Sequence, residues 1–457
     1  MKEFVLSSAQ NLQPKWLKLL PNKLSERLSG NHSLLAAINN SGWLMFDKLI
    51  RLLLGLFVSA WVARYLGPAQ YGELAYVLAY LAFFQAVAVL GMDGIIVRDI
   101  AKDTTKAGEI LGTAFILRLS VGFCCWLIAI ASMGWFNGFQ DRSVYITALA
   151  GASLIFQAAD TIDLWFQSQS QSRRTVIAKL VAYLISNGLK ILLILNQAPL
   201  LAFAVVMSVE FLLAAFALAY AYRKFTCQQP WLLLKSRAVR LLRESWPFIL
   251  SGLSVMVYMR IDQIMIKEML GETELGIYAA VLPLAMLWTF IPMTLSVSLA
   301  PMVARAKQQS EQAYWACLSN IFRGFALLGW LICVPVAMVS SYVVELLFGS
   351  EYASGSSVLA IVVFTNLFIN MGVAQSLWIL NEGKSKISLY KTIVGAVVCL
   401  MGNFILIPQF GIIGAAISAV LAQVSSTILA NVIFSRQIFI LQIKSLILIK
   451  HYHAEQA

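Results

Sequence analysis

From residue 43 to residue 434 the chain is a succession of apolar runs, separated by short stretches of Gly, Pro or clustered charge. Twelve runs can be marked, at 43–65, 72–97, 109–133, 144–166, 175–195, 199–222, 246–269, 275–301, 317–341, 355–380, 387–407 and 412–434. A helix of about 20 apolar residues crosses a hydrocarbon core of about 30 Å. Each run is therefore long enough to span a bilayer. The runs are continuous and do not alternate, which favours helices over a membrane barrel. Only 12% of the residues are charged, against about 25% in soluble domains. So few charges cannot cover a water-facing surface. The expected fold is an all-α polytopic membrane protein of about 12 transmembrane helices, with no large domain outside the membrane.

The first apolar run begins near Trp43, behind a mixed polar leader without a small-residue cleavage signal, so no cleavable signal peptide is expected. The net charge of +12 does not point to nucleic acid, because the basic residues collect in alternate loops. With the N-terminus cytoplasmic, the inside segments are 1–42, 98–108, 167–174, 223–245, 302–316, 381–386 with Lys391, and 435–457. They hold 5, 3, 2, 6, 2, 3 and 3 Lys or Arg, 24 in all. The outside segments hold Arg142 alone, with Arg64 and Lys267 at helix ends. The positive-inside rule then places both termini in the cytoplasm. The outside loops, such as Gly67–Tyr71, Asn196–Ala198 and Pro408–Gly411, are very short. They leave no room for the folded outer loop that an enzyme at that face would use. The cysteines, Cys124, Cys125, Cys227, Cys317, Cys333 and Cys399, lack paired spacing in outside loops and are expected as free thiols. His32, His451 and His453 lie in polar ends, and neither a metal nor a cofactor site is expected.

The basic segment 223–245 divides the chain into six-span halves. The expected organisation is a leader over 1–42, one lobe over 43–222, the linker, a second lobe over 246–434 and a cytoplasmic tail over 435–457. The halves echo each other. Leu66-Gly67-Pro68-Ala69-Gln70-Tyr71-Gly72 corresponds to Leu270-Gly271-Glu272-Thr273-Glu274-Leu275-Gly276, and Ala75, Val77 and Leu78 to Ala279, Val281 and Leu282, all at an offset of 204 residues. Parallel repeats related by an axis along the membrane normal are a transporter architecture, with the substrate path between them.

Charge inside the spans is costly, about 2.5–3.5 kcal/mol at the bilayer centre on insertion scales. Span 1 carries Asp47, Lys48 and Arg51, and Asp47 and Arg51 share a helix face. Arg118 lies in span 3, Asp160 and Asp163 in span 4, Lys179 and Lys190 in span 5, and Glu210 in span 6. Span 7 carries Arg260, Asp262 and, near its outer end, Lys267. One reading is a cationic cavity for an anionic headgroup, because carboxylate partners look too few for the deep cations. The other is structural pairing, with Lys48 and Lys179 reaching to the inner interface and Asp160 and Asp163 meeting Arg173 and Arg174. Pro283 and Pro292 are expected to interrupt span 8, and Pro335 lies within span 9.

Two stretches carry a family resemblance. Ala63-Arg64-Tyr65-Leu66-Gly67-Pro68-Ala69-Gln70-Tyr71-Gly72, running on to Leu90-Gly91-Met92-Asp93-Gly94-Ile95-Ile96-Val97-Arg98-Asp99-Ile100, resembles the start of the polysaccharide-biosynthesis (Wzx-type) oligosaccharide flippases of the multidrug/oligosaccharidyl-lipid/polysaccharide exporter superfamily. The stretch from Asn403 through Pro408, Gly411 and Gly414 to Ala416 is similar to that family's penultimate outer turn. The resemblance implies two six-helix lobes, related by a pseudo-two-fold axis, forming a V around a central cavity lined by spans 1, 2, 7 and 8. It implies translocation of undecaprenyl-diphosphate-linked oligosaccharide units across the bacterial inner membrane. O-antigen, capsule and exopolysaccharide pathways all qualify, with a glycan polymerase and chain-length proteins as candidate partners. It puts Arg51, Arg260, Lys48 and Lys267 forward as headgroup contacts, and Asp47 and Asp262 as candidates for proton or sodium coupling. Arg118 and Lys190 fall on outer helices of their lobe. Competing readings are a multidrug extruder of the same superfamily, for which an acidic pocket is expected, a polysaccharide polymerase or ligase, and a scaffold in the glycan assembly complex.

Overall fold

The computed structural model describes residues 32–224 and 229–448. Most of the leader (residues 1–31), Cys227, Lys450, His451 and His453 lie outside the described residues. Among those described, every regular element is a helix. Eleven helical stretches are long and apolar enough to cross a membrane, and the first of them, Met45–Lys102, contains two crossings. Its direction changes at Gly67, whose φ of 72° and ψ of 167° interrupt the helix. A side chain is strained at that φ, and Pro68 behind it has no N–H to lose and a φ suited to the first helical turn. The repeat partner, Gly271, turns the chain with φ 94° between spans 7 and 8. The twelve-span architecture is thus present.

Span 1 covers 32–66 and span 2 covers 68–88, continuing as Asp93–Lys102. Spans 3 to 6 are Ala107–Asn137, Arg142–Ser168, Ser172–Leu195 and Leu200–Lys224. Spans 7 to 12 are Lys235–Leu270, Glu272–Gln309, Glu311–Phe348, Gly355–Glu382, Ser385–Phe410 and Ile412–Phe434. Several helices overrun their apolar runs at the end that carries the basic loops, here the basic end; the opposite one is the short-loop end. Residues 235–245 of the expected linker are the first turns of span 7. Ahead of them, Leu232 donates its N–H to the Gly108 carbonyl at 3.3 Å, and Thr113 exchanges hydrogen bonds with Leu232 and Leu234. The linker is thereby fastened along span 3. Residues 435–457, expected as a tail, begin with a helix, Arg436–Leu446, that docks on the bundle. Ile438 and Leu441 are buried with Tyr314 and Phe322, and Trp330 donates to the Leu446 carbonyl at 3.0 Å.

Five spans depart from regular helix, span 10 among them with a turn at Val363 and Phe364. Span 2 breaks at Leu90 and Gly91, both at φ 58°. Span 4 passes through a 3-10 turn at Gln157–Ala159. Span 8 does so at Leu287–Thr289, just after Pro283, where the ring removes a hydrogen bond and crowds the preceding turn. Span 12 widens to a π-turn at Ser425–Leu429. Pro335 sits inside an unbroken helix.

Apolar packing differs between the two ends. At the short-loop end one core runs through both halves of the chain, joining Leu74, Ala129 and Phe203 to Ile266, Tyr278, Val344 and Tyr352. At the basic end the cores are separate. Ile96, Leu111 and Leu164 belong to one, which takes in only Leu241 and Ile249 from beyond the linker. Tyr314, Phe322 and Trp378 belong to another. The apolar cores of the two halves are joined at one end and separate at the other, where the start of span 7 packs on the N-terminal half through Leu241, Ile249 and the Arg98–Glu244 pair.

Candidate functional site

The fused end is closed by contacts between halves. The first turns of spans 2 and 8 cross in backbone contact at Gly72 and Gly276. The Tyr352 hydroxyl donates to the Ala63 carbonyl at 2.6 Å. Lys267 reaches from span 7 to Asn137 Oδ1 at 3.3 Å and lies 4.5 Å from the centre of the Tyr76 ring, with Glu268 Oε1 at 3.1 Å. This expected headgroup contact therefore sits in the closing seam.

Below the seam the other candidates occupy different depths. Arg51 precedes the Gly67 turn by sixteen residues and Arg260 precedes Gly271 by eleven. At about 1.5 Å per residue they lie about 24 and 16 Å along their helices from the turns. Arg51 is tied into its own half. Its Nε donates to Asp47 Oδ1 at 2.9 Å, its guanidinium lies 4.7 Å from the centre of the Tyr183 ring, and Tyr183 donates its hydroxyl to the Arg51 carbonyl at 2.9 Å. One terminal nitrogen, Nη2, is buried without an acceptor among the described residues. Arg260 is exposed. Its one hydrogen bond is to Gln263 Oε1 at 3.4 Å, and it has no ion pair among the described residues. Lys48 is likewise exposed and unpaired there. Asp262 is 7% exposed and accepts from the Tyr278 hydroxyl at 2.7 Å and from the Gln263 N–H at 2.8 Å. It is held by span 8, and does not pair with Arg260.

The remaining charges pair more completely than composition suggests, which corrects the expectation that carboxylates are too few. Arg118 pairs with Asp93, and Lys190 with Glu210 at 3.5 Å. Asp160 and Asp163 both pair with Lys179, at 2.7 and 2.8 Å. Arg173 stacks on Trp43 at 4.9 Å. Lys391, counted with the loop charges, is 7% exposed inside the bundle and donates to Gln375 Oε1. That oxygen also accepts from Asn431 at 3.1 Å and from Gln442 at 3.5 Å. This buried network was not foreseen; Lys391 inside an apolar run was its signal.

Comparison with known proteins agrees with this architecture. The chain is 20% identical over 364 residues to a putative O-antigen transporter of Shigella dysenteriae, covering 79% of this chain and 90% of that one. Two other relatives are matched over only 41% and 43% of their own lengths. Among solved structures, an inward-facing multidrug resistance MATE family transporter of the MOP superfamily superposes with a TM-score of 0.69 at 16% identity, covering 90% of this chain and 99% of that one. The lipid II flippase MurJ, in an inward closed conformation, gives 0.69 at 12% identity, covering 90% and 91%. These likenesses establish the two-lobe fold. Residues 37–307, more than half of the chain, match the family described as Polysaccharide biosynthesis protein. The chain belongs to that family of polytopic membrane proteins.

Proposed function

We propose that the protein is a flippase that carries undecaprenyl-diphosphate-linked oligosaccharide units of an O-antigen, capsule or exopolysaccharide from the inner to the outer leaflet of the bacterial inner membrane. The observation that carries this reading is that two guanidinium groups, one on span 1 and one on span 7 below the closed seam, keep donors that no carboxylate in the described residues takes up. Arg260 lacks an ion pair and Arg51 keeps a buried donor without an acceptor, among the described residues. Guanidinium forms paired, charge-assisted hydrogen bonds to phosphate oxygens. A diphosphate held there would offset the cost of a cation inside the membrane, while the lipid tail stays in the bilayer. Membership of the polysaccharide family and the name of the Shigella relative support a glycan substrate.

Alternating access is the mechanism proposed. With the basic end cytoplasmic, a fused core at the short-loop end and divided cores at the basic end correspond to a state that loads from the cytoplasmic leaflet. The opposite state requires the seam at Gly72, Gly276 and Lys267 to part. Asp47 and Tyr183 set the orientation of Arg51, and Lys48 adds positive charge one turn away.

The deciding experiment is deletion of the gene with chemical identification of the lipid-linked intermediate. Loss of surface glycan with accumulation of the complete undecaprenyl-linked unit on the cytoplasmic leaflet is expected. Unchanged surface glycan, with altered drug susceptibility instead, would replace this reading by the multidrug one.

A further inference from the structure

The helix Arg436–Leu446 turns back along the bundle after span 12, and the polarity of its faces is wrong for a helix against water. Ile438, Leu441, Gln442 and Ser445 are buried. Gln442 accepts from Asn431 at 2.9 Å and donates to Gln375 at 3.5 Å. Gln437, Ile440, Lys444 and, just past the helix end, Ile447 and Leu448 are exposed, at a spacing of three and four residues that puts them on one face. Ile440, Ile447 and Leu448 are 40%, 64% and 43% exposed. A helix at a water-facing surface shows its polar side and hides its apolar one. This helix hides an amide and a hydroxyl beside Ile438 and Leu441, and still shows isoleucine and leucine outward.

Its level in the bundle accounts for that polarity. The helix starts at the basic end, directly after span 12 stops at Phe434, and at about 1.5 Å per residue it is about 16 Å long. Its far end lies against the membrane-crossing parts of spans 9 and 10. The Leu446 carbonyl accepts from Trp330 at 3.0 Å, and Leu446 packs with the cluster of Cys333, Val363 and Leu367. All four of those partners fall inside the apolar runs 317–341 and 355–380. Just ahead of the helix, Val432 and Ile433 are exposed as well, so apolar surface reaches the basic end of the bundle. Lys444 in the outward stripe and Arg436 at the helix start are exposed and have no ion pair among the described residues. A lysine in apolar surroundings lays its stem along them and carries its ammonium to the headgroup level, where lipid phosphate is the acceptor.

We infer that residues 436–448 form a membrane element beyond the twelve spans, dipping into the leaflet at the basic end, and that its outward face is a binding surface for anionic phospholipid. Ile440, Ile447 and Leu448 lie among acyl chains, and Arg436 and Lys444 take headgroup phosphate. Buried apolar area and attraction to anionic lipid add together in holding such a helix. Through Gln442 the inner face is bonded to Gln375 and Asn431, and Gln375 is bonded to Lys391. Lipid that holds this helix in place therefore also holds spans 10, 11 and 12 together. None of this rests on what the protein transports.

The test uses the full-length chain in vesicles of phosphatidylcholine and phosphatidylglycerol, with the native cysteines replaced by serine and one spin label added at a time. Labels at Ile440→Cys, Ile447→Cys and Leu448→Cys should relax with dissolved oxygen and not with an aqueous nickel chelate, while a label at Gln437→Cys should meet the chelate. Access of the chelate to the labels at 447 and 448 means a water-facing helix and overturns the inference. So does exclusion of both reagents, which means that a second copy or another protein covers the face. The headgroup contact is tested on chains that keep their cysteines, by thermal unfolding in bicelles as phosphatidylglycerol replaces phosphatidylcholine at constant ionic strength. The midpoint should rise with anionic lipid, and the rise should fall by at least half in the Arg436→Gln, Lys444→Gln double variant. An undiminished rise in the double variant, or no rise in the parent, overturns the assignment of Arg436 and Lys444 to anionic headgroups.

Discussion

Gly72 and Gly276, equivalent in the internal repeat, lie against each other across the seam, and each occupies the space where the other's helix start would clash. A Cβ on Gly72 would fall 1.8 Å from the Glu272 carbonyl oxygen, and one on Gly276 would fall 1.9 Å from that of Pro68. Pro68 and Glu272 are themselves equivalent at the same offset of 204 residues. The contact is therefore reciprocal, as an approximate two-fold axis between spans 2 and 8 demands. The neighbours are backbone, so no side-chain rotation relieves the overlap.

It follows that Gly72→Ala or Gly276→Ala forces the short-loop end apart. Spin labels at Ala69→Cys and Thr273→Cys should show a longer distance in either variant than in the parent, with most glycan export lost. An unchanged distance in both variants would mean that the helices slide at no cost and that the seam is not a tight stop.

Orientation gives a second prediction. Reporter fusions at Gln140, Gln197, Ser350 and Gln409 should report periplasm, and fusions at Thr105, Arg237 and Lys384 should report cytoplasm. The asymmetry of Lys and Arg between alternate loops carries this expectation. A cytoplasmic signal at Ser350 would invert the second half.

The Lys391 network gives a third. Gln375 Oε1 accepts from Lys391, Asn431 and Gln442, which joins spans 10, 11 and 12 to the docked helix Arg436–Leu446. Gln375→Leu leaves the buried Lys391 amine without its acceptor and should cost about 2 kcal/mol of stability. Lys391→Met removes the amine itself and should cost little, or stabilise. Unfolding of the purified variants in detergent checks the order. A Lys391→Met variant less stable than Gln375→Leu would show that the amine has a stronger partner than this amide.

How much of this was legible depends on the range of the interaction. Span existence follows from local apolar length, and the turn at Gly67 from a local Gly-Pro pair, so both could be read directly. The repeat at offset 204 was visible too, yet the Gly72–Gly276 contact was not, because a sequence match does not say that two segments meet on their common axis. The Asp47–Arg51 pair is local, four residues apart, and could be read, but pairing between spans could not, for the same reason. Asp93 and Arg118 are 25 residues apart, in different spans, and nothing local selects one partner over another. Lys391 and the helix Arg436–Leu446 resemble loop and tail in the sequence because each lies beside other Lys or Arg residues. The packing of Ile438 and Leu441 on span 9, and of Gln442 on Gln375, decides otherwise.

Arg51 and Arg260 carry the proposed diphosphate contact, and their different surroundings predict different variants. Arg51 is bonded to Asp47 and stacked on Tyr183. Arg51→Gln strips a part-buried carboxylate of its cation, so lower membrane abundance should accompany the loss of export. Asp47→Asn in the same chain removes the stranded charge and should restore abundance without restoring export. Arg260 has no ion pair to break among the described residues, so Arg260→Gln should accumulate normally and still lose export, by tenfold or more. Arg260→Lys keeps the charge but loses the two-pronged donor, and should retain part of it. Complementation of a glycan-deficient strain, with membrane protein measured alongside surface glycan, separates these outcomes. Normal glycan from Arg260→Gln at normal abundance would remove Arg260 from the substrate path. Normal glycan from the restored Asp47→Asn, Arg51→Gln chain would do the same for Arg51, leaving its contacts with Asp47 and Tyr183 as a purely structural tie between spans 1 and 5.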